Sequence, residues 1–184
     1  MGFAQIPIGA NAPAAVNAVI EIPRGTNFKY EYDEQLEVIK LDRVLSSPLF
    51  YPVDYGFIPE TRSEDGDHLD VLVVVTGPSF PGCLMEVRPL GLLRMRDEKG
   101  EDYKILAVPT REPRYRLVTR MEDLSSHIPV EIQHFFEIYK TLEAKEVEII
   151  GWYSLEEAQA EIMRSWEAYR AEHSHGGAPV EPEV

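Results

Sequence analysis

Three aspartates, Asp65, Asp67 and Asp70, lie within six residues of one another and directly precede the apolar run 71–75. Carboxylates placed this closely repel one another unless positive charge lies between them. Oxygen ligands crowded at the mouth of a buried strand are typical of sites for hard divalent cations such as Mg²⁺ or Ca²⁺. The sequence therefore predicts a metal-binding loop at this point.

An EF-hand calcium loop is one alternative, because the Asp-Gly-Asp triplet at 65–67 begins such a motif. That loop requires an acid or amide at its fifth position, glycine at its sixth and glutamate at its twelfth. The chain has Leu69, Asp70 and Thr76 at those positions, and the following residues have the pattern of a strand rather than a helix. We therefore exclude an EF-hand.

Further polar residues lie on segments that could surround the aspartates. The sequence lacks a Cys/His zinc spacing, a Gly-x-Ser-x-Gly elbow and a Walker loop. An all-oxygen set with Lys, Arg and Tyr suits metal-assisted chemistry on phosphate oxygens, because cations neutralise the charge of the transferred group and a carboxylate can accept a proton from water. The additional candidates are the acids Glu21, Glu31, Asp97 and Asp102, the cations Lys29, Arg43, Lys104 and Lys140, and the phenols Tyr51, Tyr55 and Tyr139.

Composition limits the classes of partner. The 184 residues include 32 acids against 18 Lys and Arg, a formal net charge of −14. This balance argues against nucleic acids and anionic membranes, which attract basic surfaces. An anionic substrate could still bind where metals reverse the local field. The single cysteine, Cys83, cannot form an intrachain disulfide, which is consistent with the reducing cytoplasm, and the N-terminus resembles neither a signal peptide nor a membrane span.

The elements that must position these residues are mostly short strands. Residues 27–32 alternate with a period of two, which puts Lys29 and Glu31 on one face. The aromatic-rich segment 47–60 is expected to be a loop. Strands are predicted at 17–22, 27–32, 36–44, 71–75, 83–87, 91–95, 104–109, 116–119 and 147–153.

Two helices follow the strand-rich part. One is predicted over 129–143, with Leu142 on its buried stripe, and a capping box from Ser154 to Glu157 opens the other. The strand spacing suggests a β-barrel or a sandwich. We interpret the chain as a mainly β fold with two helices (α+β), a small closed barrel with the helices packed beside it. Residues 1–15 form an irregular arm, 16–172 a single domain, and 173–184 a disordered tail in this interpretation.

The chain resembles the family I soluble inorganic pyrophosphatases of the bacterial type. The family's Asp-x-Asp-x-x-Asp signature, entering an apolar strand, is matched at 65–70, and the resemblance extends over roughly residues 16–170. The resemblance implies a five-stranded OB-like barrel that hydrolyses pyrophosphate to two phosphates. The reaction would require Mg²⁺, for which Mn²⁺ or Zn²⁺ could substitute. The protein would assemble as a homohexamer. Four further blocks agree in order and spacing: 21–31, 51–59, 97–104 and 134–140.

The resemblance also assigns metal ligands. Asp65, Asp70 and Asp102 would hold a first metal, and Asp70 would bridge to a second. Asp97 and Asp102 would hold a metal that arrives with the substrate. Glu31 or Glu21 would help to hold another metal, partly through water.

The same resemblance assigns the groups that meet water and phosphate. Asp67 would act as the general base. Tyr139 and Lys140 lie about 100° apart on a helix, so both reach one site only if the edge of that helix faces it. The phosphate-binding residues would be Lys29, Arg43, Tyr55, Lys104, Tyr139 and Lys140, with Tyr51 in a supporting role.

Two other functions compete with pyrophosphate hydrolysis. A related hydrolase acting on nucleotides would need a base pocket, for which the sequence offers no separate segment. A non-enzymatic OB-like binding module would not explain so many acids with so few compensating cations. His68 is expected to be a solvent-exposed spacer, and His134 a packed or interface residue rather than a catalyst.

Replacement of Asp67 tests the assignment of the base. Asp67→Asn removes the proton acceptor but keeps the shape of the side chain, so we expect most turnover to be lost while metal still binds. Phosphate release and metal titration measure the two effects separately. A wild-type rate in this variant would refute the assignment.

Overall fold

The computed structural model describes residues 2–98 and 100–174. Within these residues, eight strands and two α-helices are formed, with short 3₁₀ turns between some of them. Their bounds are β1 Val16–Ile22, β2 Phe28–Asp33, β3 Val38–Val44, β4 Asp54–Ile58, β5 Leu69–Val73, β6 Leu84–Asp97, β7 Gly100–Pro109, α1 His127–Ile138, β8 Glu148–Tyr153 and α2 Leu155–Ser174.

Five of the strands close into a ring. The hydrogen-bonded order is β1-β4-β5-β7-β6, and β6 pairs back to β1. All pairings are antiparallel except β5 with β7, which is parallel. β8 adds to β6 outside the ring, and β2 and β3 form a separate hairpin. The predicted five-stranded closed barrel with two helices is therefore confirmed.

The two faces of β5 lie in two different hydrophobic clusters. Val71 and Val73 pack in the cluster that includes residues of α2, whereas Leu72 and Val74 pack in the cluster that includes residues of α1. A strand covered on both faces needs a continuous apolar sequence, which accounts for the apolar run 71–75. The burial of β5 fixes the backbone next to Asp70.

Several strand predictions were wrong. The segment 47–60 contains β4, a strand of the ring that the glycine and prolines of this region concealed. Residues 84–87 and 91–95, predicted to lie in two strands, belong to the single strand β6, because a shift in register between Pro89 and Gly91 accommodates a residue that lacks an N–H. Residues 116–119 are not a strand; they lie between 3₁₀ turns at Pro113–Tyr115 and Met121–Asp123.

The helix boundaries also differ from the expectation. α1 ends at Ile138, and Leu142 is 66 % exposed rather than part of a buried stripe. The capping box is present: Glu157 N donates to Ser154 Oγ at 3.3 Å, and Ser154 N donates to the Glu157 carboxylate at 3.1 Å. α2 continues to Ser174, two residues beyond the predicted boundary at 172, and the rest of the predicted tail, 175–184, lies outside the described residues.

Gly56 on β4 provides a test of how tightly the ring closes. A Cβ at this position would lie 2.0 Å from the Val19 carbonyl oxygen and 2.8 Å from Ile20 Cα, both backbone atoms of β1. Since backbone cannot move aside cheaply, we expect Gly56→Ala to lower the free energy of unfolding by about 3 kcal/mol. Denaturant unfolding measures the change.

Gly77→Ala is the matched control. No described atom lies within 4 Å of a Cβ built at Gly77, so we expect a change within about 0.5 kcal/mol. Similar losses in the two variants would contradict the close approach of β4 to β1.

Candidate active site

The residues predicted to bind metal, phosphate or the attacking water converge on one cleft of about 660 Å³ beside the ring. Thirteen of the fourteen candidates line it, and Tyr51 is the exception. They come from both sheets, from the turn before β5 and from the segment after α1: Glu21, Lys29, Glu31, Arg43, Tyr55, Asp65, Asp67, Asp70, Asp97, Asp102, Lys104, Tyr139 and Lys140.

Strand pairing explains how distant residues meet at the centre of this cleft. β5 and β7 are parallel neighbours, and their register places Asp70 opposite Lys104. Asp102 lies two residues before Lys104 on β7, so both side chains leave the same face. The pairing therefore fixes two acids around one lysine.

Lys104 is the centre of the hydrogen-bond network. Its Nζ donates to Asp70 Oδ2 at 2.6 Å and to Asp102 Oδ1 at 2.8 Å, and lies 3.3 Å from the Tyr55 hydroxyl. Tyr55 also donates to Asp70 Oδ2. The ammonium lies over the rings of Tyr55 and Phe136, 5.2 and 5.3 Å from their centroids, and the lysine side chain is only 2 % exposed.

Burial and charge shift the pKa values of these groups in opposite ways. Burial alone would lower the pKa of Lys104, but the Asp102 and Asp70 carboxylates reverse this and hold it above its ordinary value. Burial raises the pKa of Asp102 even though Lys104 favours its charged form. Burial also raises the pKa of Tyr55, with further contributions from Asp70 and Asp102. Lys104 therefore stays positively charged, and the neighbouring carboxylates depend on it as their counter-charge.

Glu21 on β1 is a buried acid at the edge of this network. Burial raises the pKa of its carboxyl to about 8, with a further rise from the charge of Asp70. The backbone N–H of Tyr32, which donates to Glu21 Oε1 at 2.6 Å, lowers the pKa and only partly offsets the burial. Glu21 therefore has high proton affinity until positive charge comes near it.

Tyr139 and Lys140 both reach the cleft because α1 ends before them. Tyr139 caps the helix, and Lys140 begins the 3₁₀ turn that follows. Lys140 Nζ lies 2.8 Å from Asp97 Oδ2 and 3.6 Å from Glu98 Oε2. Both residues line the cleft, so the end of α1 presents an edge to it, which is the condition under which both can reach one site.

Asp42 and Glu143 were missed by sequence reasoning. Asp42 Oδ2 lies 2.6 Å from Arg43 Nη1 and 3.5 Å from Lys29 Nζ, and Glu143 Oε1 accepts from Arg43 Nε at 3.0 Å. Strict alternation would send Asp42 and Arg43 to opposite faces. The hairpin register shifts between Lys29 and Tyr30, so that Asp42 is the extra residue of a bulge and can share the face of Arg43.

Glu98 and Lys145 were also missed, and both line the cleft near Asp97. Lys145 Nζ lies 2.8 Å from Glu98 Oε1. Glu98 is the neighbour of a predicted ligand, and Lys145 falls in a charged segment without periodicity. No pattern in the sequence separates these two residues from ordinary surface charges.

Tyr51 lies beneath the cleft rather than in its wall. It is 2 % exposed, and its ring centroid is 5.8 Å from that of Tyr55 and 4.8 Å from that of Phe135. It packs against Tyr55 from beneath the cleft, and its supporting role stays a prediction.

The expectation for His68 was wrong. Its side chain is only 10 % exposed, and its ring stacks on Phe57 with centroids 4.9 Å apart. Nδ1 lies 2.8 Å from the Thr61 carbonyl oxygen and Nε2 lies 3.0 Å from Glu34 Oε1. The chain after the acidic turn folds back on Thr61, which carries the imidazole inward, and burial lowers the pKa of His68. His134, by contrast, is 66 % exposed on α1.

The charge of the cleft bears on what it can hold. Its lining contains eleven carboxylates and six Lys or Arg, a formal excess of five negative charges. Within residues 2–98 and 100–174, no three His, Cys, Asp or Glu side chains are gathered in a coordination group, and Lys104 lies between Asp70 and Asp102. The donors are carboxylate oxygens, which fit hard divalent cations.

Comparison with known proteins gives one consistent result. The profile of the family described as inorganic pyrophosphatase matches residues 18–170. The chain is 51 % identical over 167 residues to the inorganic pyrophosphatase of Thermus thermophilus, covering 87 % of this chain and 95 % of that protein. It is 50 % identical over 151 residues to that of Halalkalibacterium halodurans, covering 82 % and 92 %.

The fold agrees with the sequence comparison. The crystal structure of the Thermus thermophilus inorganic pyrophosphatase superposes with a TM-score of 0.90 at 47 % identity, covering 92 % of this chain and 99 % of that one. The inorganic pyrophosphatase of Coxiella burnetii superposes with a TM-score of 0.85 at 42 % identity, covering 89 % and 99 %. The ring, the hairpin and the two helices are thus a shared architecture.

Removal of the central lysine tests the charge balance of the cleft. Lys104→Met leaves Asp70 and Asp102 close together without a counter-charge, so we expect the metal-free protein to lose about 3 kcal/mol of unfolding free energy. Addition of Mg²⁺ should restore part of that loss by ligand-linked stabilisation. Denaturant unfolding with chelator and with Mg²⁺ measures both effects.

Lys145→Met is the control for this experiment. Lys145 is 45 % exposed and forms an ion pair with Glu98, so its removal should change the unfolding free energy by less than about 1 kcal/mol. Equal losses in the two variants would show that Lys104 is not the counter-charge on which the acids depend.

Proposed function

The chain belongs to the inorganic pyrophosphatase family, whose members hydrolyse pyrophosphate to phosphate, and from this premise we propose that the acidic cleft around Lys104 is its active site. The protein is a hydrolase of the pyrophosphate phosphoanhydride. The observation that supports this location is the convergence of thirteen candidate residues, drawn from most of the length of the chain, on one cleft. Such hydrolysis would draw forward the biosynthetic reactions that release pyrophosphate.

The charge of the cleft supports a requirement for metal. Pyrophosphate is a polyanion, and the lining carries a formal excess of five negative charges, so the two repel unless divalent cations bind. We propose Mg²⁺, with Mn²⁺ or Zn²⁺ as substitutes. When bound, the cations supply positive charge to the phosphate oxygens and to the attacking water.

The acids divide into ligand groups by their positions. Asp65 in the turn before β5, Asp70 on β5 and Asp102 on β7 would hold the first metal, with Asp70 shared with a second. Asp97 at the end of β6, together with Asp102, would hold a metal that enters with the substrate. Further metal support would come from Glu31 and Glu21.

The cationic and phenolic side chains would bind the two phosphate groups. In the described structure their donors contact acids: Lys104 contacts Asp70 and Asp102, Lys140 contacts Asp97, and Arg43 contacts Asp42. Neutralisation of those acids would release the donors for phosphate oxygens. The full set is Lys29, Arg43, Tyr55, Lys104, Tyr139 and Lys140.

Asp67 is the proposed general base. Its side chain lies on an exposed turn at the wall of the cleft, so a proton taken from water can leave to solvent. The water oxygen forms a bond to one phosphorus while the bond from that phosphorus to the bridging oxygen breaks. The electron pair of that bond stays with the second phosphate as it leaves.

Further properties follow as proposals. No helix within the described ranges is long and apolar enough to cross a membrane. The single cysteine supports a reducing compartment, and we propose a cytoplasmic location. The acidic composition disfavours nucleic-acid partners. A homohexamer is proposed from the family resemblance alone.

Phosphate release tests the proposed function. We expect rapid release from pyrophosphate with Mg²⁺, little from ATP, and none after treatment with chelator. Ca²⁺ should bind but support poor turnover, because its looser coordination positions water badly. Turnover of ATP but not of pyrophosphate in the presence of Mg²⁺ would overturn the proposal.

A further inference from the structure

The acidic turn at 63–67 is closed by its own backbone but is exposed on its outer side. Ser63 N donates to the Asp67 carbonyl oxygen at 2.8 Å, and Gly66 N donates to the Ser63 carbonyl oxygen at 3.1 Å. Asp67 N donates to Asp65 Oδ1 at 3.1 Å. Residues 64–67 are exposed, so hydrophobic packing does not set the position of the turn relative to the rest of the cleft.

Arg62 supplies a direct attachment of this turn to the body of the protein. Its Nη1 donates to the Gly66 carbonyl oxygen at 2.6 Å, at the residue between Asp65 and Asp67. Gly66 has a φ of +89°, a left-handed conformation that favours glycine. The guanidinium therefore holds the turn through its backbone, between the two carboxylates.

The guanidinium is itself fixed from two other sides. Its Nη1 also donates to Glu34 Oε1 at 3.0 Å, in the turn between β2 and β3, and its Nε donates to Glu172 Oε2 at 3.0 Å, on α2. The Arg62 side chain is only 14 % exposed and lies 5.8 Å from the centroid of the Tyr169 ring. Its backbone N–H donates to the Ser165 carbonyl oxygen at 2.9 Å.

Glu34 joins the two ends of the turn. The same carboxylate oxygen, Oε1, lies 3.0 Å from Arg62 Nη1 before the turn and 3.0 Å from His68 Nε2 after it. The hairpin, the acidic turn and α2 are thereby joined in one network. A shift of any of these three elements would change the distance from Asp65 and Asp67 to Asp70.

We infer that Arg62 is a positioning residue that sets the geometry of Asp65 and Asp67 for metal binding, an inference that rests on the proposed roles of these two aspartates. Mg²⁺ demands nearly ideal octahedral geometry, so a turn that drifts binds it less well. Contacts outside the ligands themselves typically contribute about 10- to 100-fold to metal affinity. Arg62 touches no substrate in this assignment and acts through the turn alone.

Arg62→Gln is the primary test. The shorter neutral amide cannot contact Gly66, Glu34 and Glu172 together, so we expect about a tenfold weaker affinity for Mg²⁺. Calorimetric titration of the metal-free protein with Mg²⁺ measures this without activity. In pyrophosphate hydrolysis, the half-activating Mg²⁺ concentration should rise to a similar extent, while kcat at saturating Mg²⁺ stays within about twofold of wild type.

Hydrogen exchange gives a local measurement of the same effect. In the metal-free Arg62→Gln protein, the amides of residues 63–67 should exchange faster than in wild type, whereas those of β5 and β7 should not change. Arg62→Lys, which keeps the charge but not the fork of donors, should fall between the two. If Arg62→Gln does not fold, Glu172→Gln removes one anchor and should weaken Mg²⁺ binding in the same direction.

Arg114→Gln is the matched control. Arg114 is 73 % exposed and pairs with Glu112 at 3.1 Å, and it does not line the cleft, so its removal should leave both Mg²⁺ affinity and hydrolysis unchanged. Wild-type Mg²⁺ affinity in a folded Arg62→Gln protein would overturn the inference, and so would a lower kcat with unchanged half-activation. Failure of wild-type protein to hydrolyse pyrophosphate would instead contradict the proposed function, so the two failures are distinguishable.

Discussion

The cleft depends on one buried ammonium held between two carboxylates. Lys104 contacts Asp70 at 2.6 Å and Asp102 at 2.8 Å, and the three side chains lie on the parallel pair β5 and β7. Without that charge the acids would repel one another in a poorly solvated place, as the raised pKa of Asp102 indicates. Strand pairing therefore holds Asp70 and Asp102 at a separation that their mutual repulsion opposes. The positive charge of Lys104 offsets this repulsion until cations bind.

Two kinds of support hold the acids, and they differ in rigidity. Asp70 and Asp102 belong to strands of the closed ring: Asp70 is paired on both sides, with Phe57 and Lys104, and Asp102 is paired with Met95. Asp65 and Asp67 belong to an exposed turn, whose position depends on polar contacts such as that of Arg62 with Gly66. Sites on strands are more exact than sites on loops, so the turn is the part of the cleft that needs additional attachment.

Most residues of the candidate site could be predicted from residue types and their spacing in the sequence. The acids, lysines and tyrosines named from the sequence reach a common cleft because alternation and short turns place them on facing surfaces, as with Lys29 and Glu31 on β2. Asp42 could not be found in this way, because a bulge changes the side of the hairpin on which it lies. Periodicity assumes a regular ladder, and an irregular pairing is set by tertiary contacts.

The predictions of strand boundaries were wrong for related reasons. β4 lacks a clear apolar alternation because Gly56 replaces a side chain where β1 approaches closely, and β6 continues through Pro89, which local rules treat as a break. His68 is buried by the fold of the chain back on Thr61 and Phe57, contacts that are distant from anything its neighbours in sequence reveal. The capped start of α2 was correctly predicted, and so was the existence of β5, although β5 runs from Leu69 to Val73, two residues earlier than the predicted 71–75.

The closure of the ring bears on the order in which the protein gains structure. The pairing of β1 with β6 joins Val16 to Val87, 71 positions apart in the chain, and such distant contacts make folding slow relative to helical proteins of similar size. Asp70 and Lys104 meet only through another pairing of this kind, since their strands are parallel and β6 lies between them in the sequence. The acids of β5 and β7 therefore come together around Lys104 only after these two strands have paired.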